Sequence, residues 1–235
     1  MTNDYFRFKQ FIIYQDRCAF KVGTDGVILG AAADVSGAKQ ILDTGAGTGL
    51  ISLMLAQRSD AEIYAIEPDG ESYGQLSENI SQCKWKGRVH AVNSDLQNYS
   101  PGFKFDLIVS NPPYFSYSLR NPDQRKSSAR HNDSLSPADL LTGAARLLAD
   151  NGRLHVIMPY AEGNVLIAEA AGYGLFCYDI LKIKPLPTSE IRRLLLAFSR
   201  EKRKPVERFL TIEQGKRHEF TQDYIDLTKE FYLRF

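Results

Sequence analysis

The chain has 235 residues, 43% of them hydrophobic and 24% charged, with a formal net charge of +1. That length and apolar content suffice for one large core, so a disordered or fibrous chain is set aside and one domain is expected rather than two. No apolar run approaches the ~18 residues of a membrane span, and the start MTNDYFRFKQ lacks the basic and then apolar pattern of a signal peptide, so a cytoplasmic location is the expectation. Cys18, Cys83 and Cys177 lie far apart with no CxxC pair, which predicts neither a zinc site nor a disulfide framework.

From residue 40 onward, strand-like and helix-like segments alternate. QILDT (40–44) is short and apolar, and LISLMLAQR (50–58) has helical spacing. EIYAIE (62–67), a polar helix over 69–83, RVHAVN (88–93) and FDLIVS (105–110) follow. A Ser-Pro start opens a helix over 136–150, and GRLHVIMP (152–159) reads as another strand. This βα alternation predicts a parallel sheet with helices on both faces. After a helix over 160–171, the segments 175–185 and 191–200 are joined by PLPTSE, too short for a crossover helix, which predicts an antiparallel pair at the sheet's end. In the tail, Phe220, Tyr224, Leu227 and Phe231 have the spacing of a docked amphipathic helix.

The turn LDTGAGTGL (42–50) joins the first of these strands to its helix, the place where open α/β sheets bind ligands. A dinucleotide fingerprint would need a glycine at position 50, where Leu50 stands. The pattern Asp43-x-Gly45-x-Gly47-x-Gly49 is instead similar to the first motif of S-adenosylmethionine-dependent methyltransferases, which implies that Asp43 lies near the cofactor's amino group. Glu67, at the end of the second strand, is placed to accept hydrogen bonds from ribose hydroxyls. Asp95, in VNSDL, would by the same resemblance accept from the cofactor's adenine amino group, although an Asp capping a turn after a strand is as common.

DLIVSNPPYFS (106–116) takes a strand straight into two prolines, which end any regular element because each lacks a backbone N–H. Asn111-Pro112-Pro113-Tyr114 resembles the [DNS]-PP-[YFW] motif of methyltransferases that act on planar exocyclic nitrogens. The amino nitrogen of adenine shares its lone pair with the ring, so it needs acceptors on its hydrogens before it can attack. The Asn111 side-chain oxygen and the Pro112 carbonyl would be those acceptors, and Tyr114 would stack on the base once it has left its own stack. Catalysis of this kind is mostly orientation and requires no general base. A rigid turn with a packed tyrosine is the plainer alternative.

With FKVGTDGVILGAA (20–32), SARHNDSLSPADL (128–140) and the ending DLTKEFYLRF, the chain resembles, nearly end to end, the tRNA(valine) adenine N6-methyltransferase family, which acts at adenine 37 beside the anticodon. The resemblance implies a Rossmann-like class I methyltransferase domain over residues 1–235, with a seven-stranded, mostly parallel sheet and an antiparallel strand at one edge. It also implies S-adenosylmethionine as cofactor and tRNA as partner. A short N-terminal segment would cover the cofactor, with Thr24 and Asp25 as polar contacts.

Arg125, Arg130 and His131, in the polar loop 115–135, are candidate RNA contacts. So are Lys202, Arg203 and Lys204, within a stretch from Lys182 to Arg217 that carries eleven Lys/Arg against four Glu, a local charge of +7. Such a run is also what a solvated face looks like. The rivals are an N5-methyltransferase of a protein glutamine, an N2-methyltransferase of a ribosomal RNA guanine and an inactive RNA-binding module. The first usually carries a helical domain ahead of the glycine loop, where only about 40 residues stand here; the second is disfavoured by the lack of a duplicated domain.

Overall fold

The computed structural model describes residues 4–18, 20–112 and 135–234. A small antiparallel hairpin, β1 (Tyr5–Arg7) and β2 (Ile12–Tyr14), precedes helix α1 (Thr24–Ala32). The predicted alternation then appears as β3 (Gln40–Thr44), α2 (Leu50–Arg58), β4 (Glu62–Ile66), α3 (Gly70–Ser81), β5 (Val89–Val92) and β6 (Phe105–Ser110). It continues through α4 (Pro137–Leu147), β7 (Leu148–Pro159), α5 (Tyr160–Ala170), β8 (Phe176–Lys184), β9 (Arg193–Ser199), β10 (Val206–Thr211) and α6 (Gln222–Thr228). Helix starts follow their caps. Asp69 accepts from the Ser72 N–H at the start of α3, and Ser136 and Asp139 form a reciprocal capping box on α4, with Pro137 at its first position.

One sheet has eight strands in the order β10-β8-β9-β7-β6-β3-β4-β5. This corrects the expected seven. The added strand, β10, pairs in parallel with β8 and forms the edge. Its sequence, VERFLT, buries only Leu210, so it carries almost none of the apolar alternation by which strands are recognised. The antiparallel strand is likewise not at the edge: β9 lies between β7 and β8 and runs against both. The antiparallel pairing of residues 175–185 with 191–200 is as expected.

Alternation along each strand divides the core between the two faces. Ile41, Leu107, Val109, Ile157 and Leu195 point toward α1, α2 and α6, whereas Leu42, Ile108, Val156, Leu194 and Leu196 point toward α4 and α5. The tail helix docks on the first face through Tyr224, with Phe231 just beyond it, both 2% exposed.

The strand order places the site. The chain runs β3, β4, β5 in one direction across the sheet and then returns to lay β6 on the other side of β3. That reversal opens a crevice at the carboxyl ends of β3 and β6. Thr44 and Ser110 are register partners there, so the glycine turn and Asn111-Pro112 leave the sheet side by side.

Candidate active site

A cleft of about 1660 Å³ lies over this end of the sheet, bounded among the described residues by the glycine turn, Glu67, the 94–98 turn, Asn111, Pro112 and the stretches Asp16–Cys18 and Phe20–Gly26. The glycine turn is pinned to β4: the N–H groups of Gly45 and Ala46 both donate to the Ile66 carbonyl at 3.0 Å. Gly45, Gly47 and Gly49 have φ of 71°, 53° and 83°, conformations that side chains disfavour. A Cβ built on Gly45 or Gly47 would meet nothing within 4 Å, so open space lies in front of both. Gly49 differs: its Cβ would come within 2.7 Å of Leu76, so this glycine also lets α3 pack closely on the start of α2.

Glu67 is 8% exposed and lines the cleft. Its Oε2 accepts from the Gly47 N–H at 2.8 Å and its Oε1 from the Asp69 N–H at 3.1 Å. Burial raises its pKa, and those two N–H groups partly offset the rise.

Asp43 is placed differently from the sequence expectation. It is fully buried and is not on the cleft wall. As a β3 residue two positions from Ile41 it points toward α2, where its Oδ2 accepts from the Ser52 hydroxyl at 2.6 Å. Its Oδ1 has no hydrogen-bond partner among the described residues. Burial pushes its pKa up to about 7, against the lowering effect of Ser52, and the nearby Glu67 charge adds to the rise.

Asp95 lines the cleft, but both of its carboxylate oxygens accept from Asn98, one from the backbone N–H at 2.7 Å and one from the side-chain amide at 2.8 Å. It caps its own turn and presents that turn to the cleft. Thr24 begins α1 and also lines the cleft, as does Asp25, whose Oδ2 accepts from Arg193 Nε at 2.7 Å. Arg193, at the start of β9, had no motif to mark it. The side-chain amide of Asn111 lies 3.8 Å from where a Cβ on Gly26 would stand, so this glycine brings α1 close to the end of β6.

Tyr114, Arg125, Arg130 and His131 lie outside the described residues. Lys202, Arg203 and Lys204 are described, and they are far from the cleft. Strand β9 starts at the cleft end with Arg193 opposite Pro159 and runs down to Phe198 opposite Leu154. Its seven residues span about 20 Å at ~3.3 Å each, so the three cations follow at the opposite end of the sheet. As RNA contacts they would therefore meet the substrate away from the reacting site.

Sequence reasoning missed the stretch Asp16–Cys18, which lines the cleft ahead of the FKVGTDG segment and belongs to no strand or helix. No periodicity or motif marks it.

Residues 27–164 match the methyltransferase small domain family. A Trichodesmium erythraeum protein named tRNA1(Val) (adenine(37)-N6)-methyltransferase is 46% identical, covering 100% of both chains. One of the same name from Bacteroides thetaiotaomicron is 45% identical over 99% of each chain. Among solved structures, a protein described as a predicted O-methyltransferase from Agrobacterium tumefaciens superposes with a TM-score of 0.68, covering 88% of this chain and 96% of that one. At 22% identity that likeness speaks for the fold alone, which is the Rossmann-like class I methyltransferase fold. With a crevice of that fold at the switch point and end-to-end likeness to these enzymes, the chain belongs to the tRNA1(Val) (adenine(37)-N6)-methyltransferase family.

Proposed function

We propose that this chain transfers a methyl group from S-adenosylmethionine to the exocyclic N6 of an adenine in tRNA, at position 37 of tRNA(Val). The observation that carries the reading is the adjacency of two turns: Asn111-Pro112 leaves β6 beside the glycine turn of β3, in register and facing one cleft. A nitrogen held by the first turn is therefore next to whatever the second one cradles.

The described residues fit the cofactor. Gly45 and Gly47 leave room for a ligand to approach the backbone, and the Glu67 carboxylate stands at that opening as an acceptor for a ribose diol. Asp95 retains lone pairs for an adenine amino group beyond those engaged by Asn98. Asp43 would act from behind the turn, fixing β3 to α2 through Ser52. The Thr24-Asp25-Gly26 segment, with Thr24 and Asp25 as polar contacts, would cover the methionyl end as part of one domain. Bound there, S-adenosylmethionine supplies an electrophilic methyl on a sulfonium.

The protein's task is then to prepare the nucleophile. The Asn111 side-chain oxygen and the Pro112 carbonyl accept from the two amino hydrogens and draw the nitrogen's lone pair out of conjugation with the ring. Pro113 adds no competing donor, and Tyr114 stacks on the extruded base. The gain lies in positioning, so no residue needs to act as general base before transfer.

Arg125, Arg130 and His131 follow the catalytic turn in the chain and would hold RNA near the reacting base. Lys202, Arg203 and Lys204 would meet phosphates of a more distant part of the tRNA. Among the described residues there is no group of three or more His, Cys, Asp or Glu suited to a metal, and no helix long and apolar enough to cross a membrane.

The test is direct. Unmodified tRNA(Val) transcript incubated with the protein and S-adenosylmethionine should yield N6-methyladenosine on nucleoside digestion. A transcript with guanine in place of adenine 37 should yield none.

A further inference from the structure

We propose that the ring of Phe20 is the platform on which the RNA substrate stacks a nucleobase as the target adenine enters the cleft, an inference that rests on the RNA-methylating reading above. Phe20 is 73% exposed, more than any other large hydrophobic residue described. Of those exposed residues, which also include Tyr5, Tyr160, Phe209 and Leu233, it alone lines the cleft. Single exposed apolar residues are ordinary on a protein surface. Two further observations set this one apart.

The first is how firmly its segment is held. The Tyr14 N–H donates to Asn79 Oδ1 at 2.9 Å, and the Asn79 amide donates to the Tyr14 and Thr48 carbonyls. The Arg17 N–H donates to Gln75 Oε1 at 3.2 Å, and the Val22 N–H donates to Gln15 Oε1 at 2.8 Å. Gln15, Gln75 and Asn79 are all buried, and an ion pair joins Arg17 to Glu78. Backbone bonds to buried amides thus fix the chain on both sides of Phe20 while its ring stays in water. A segment held this firmly presents the ring with little ordering entropy left to lose on binding.

The second is where the segment runs. At one end Cys18 lies beside Ser72 and Glu67, the ribose acid of the proposed site. At the other end Gly26 packs near the Asn111 amide, which a Cβ on Gly26 would approach to 3.8 Å. Phe20 stands between these points in the chain and lines the same cleft as Asn111, where its ring would meet an incoming base. Every base has a π-face, so stacking on phenylalanine would steady the incoming strand without reading its sequence.

The full-length protein is assayed as Phe20→Ala, Phe20→Leu and Phe20→Trp with a synthetic RNA stem-loop carrying the loop adenine. With the stacking of one base lost, Phe20→Ala should raise KM for the RNA roughly tenfold. Its kcat should stay within about twofold and its affinity for S-adenosylmethionine should not change. Phe20→Leu, apolar without a ring, should behave like Phe20→Ala, and Phe20→Trp should restore KM. The new indole should also lose emission when the RNA is added at saturating cofactor. The native Trp85 lies outside the cleft wall, under the Lys84 ammonium, and supplies a constant background. If Phe20→Ala weakens S-adenosylmethionine instead of RNA, the ring covers the cofactor and the proposal is overturned. An unmoved KM beside normal wild-type methylation removes this inference alone, whereas a wild-type protein that neither binds nor methylates the stem-loop removes it together with the reading beneath it.

Discussion

The two ends of the eight-stranded sheet differ in kind. At the carboxyl end stand a glycine turn, two carboxylates whose pKa values burial has raised, and an asparagine and proline facing a cleft. At the amino end the chain exposes Lys202, Arg203 and Lys204, and the Arg203 guanidinium lies 4.1 Å above the Tyr178 ring. His155, buried in the same region, is pushed down to about 4 and is uncharged at neutral pH. The basic residues that mark this chain as a partner for a polyanion therefore do not mark where its chemistry happens. Strand ends at a switch point collect reactive groups because backbone and side chains converge there. Charge accumulates wherever a loop is solvated.

Gly47→Val should expose the difference most sharply. A branched residue cannot readily take a φ of 53°, and its methyls would fill the opening in front of the turn. Cofactor binding, measured by titration with S-adenosylmethionine, should be abolished while the circular dichroism of the fold persists. Undiminished affinity would mean the cofactor does not sit at the carboxyl end.

Asn111→Ala should leave cofactor affinity nearly unchanged and lower single-turnover methylation roughly 10²-fold or more, the usual loss when an acceptor aimed at developing charge is removed. A near wild-type rate would make Asn111 structural.

Neutralising Lys202, Arg203 and Lys204 together probes the other end. Tested across a salt series, the triple variant should bind tRNA more weakly, with a shallower dependence on salt. Each lost phosphate contact removes up to about 0.9 of a unit of slope. Its turnover at saturating tRNA should match the parent's. A fall in turnover comparable to that of Asn111→Ala would erase the distinction between the two ends, and unchanged binding at every salt concentration would leave the amino end a solvated face.

The smallest effect concerns Asp43. Its pKa rises from 3.8 to about 7 on burial, so the folded state holds a proton that the unfolded state releases across that window. The native state is thereby favoured at the acid side and loses that advantage as pH climbs through the window. Asp43→Asn cannot ionise, so its urea midpoint should fall less than the wild type's over the same range. Equal slopes would show that Asp43 is ionised throughout.

Much of the carboxyl end was legible because its signals are spacings between residues close in sequence. The glycines, Glu67 and Asn111 each follow a strand, and successive parallel strands deliver such residues to one edge. Asp43 was legible as part of that motif but not in its direction. It shares a face with Ile41, so the alternation of β3 turns it toward Ser52 and away from the cleft. Strand β10 was hidden by an edge position that buries little more than Leu210. The place of Lys202 to Lys204 was recoverable in principle: an antiparallel β9 must end where its parallel neighbours begin. The stretch Asp16–Cys18 was not recoverable, because it is held by a buried amide, Gln75 of α3, that no local pattern announces.

The central claim is that a planar nitrogen of RNA reacts at Asn111. It is tested most directly by supplying S-adenosylmethionine labelled with tritium in its methyl group to wild type and Asn111→Ala, with total RNA and protein extract as separate acceptors. The label should enter the RNA, be recovered from the tRNA fraction as N6-methyladenosine, and nearly vanish with the variant. Label entering protein glutamine in place of RNA, or entering RNA equally well with Asn111→Ala, would contradict it.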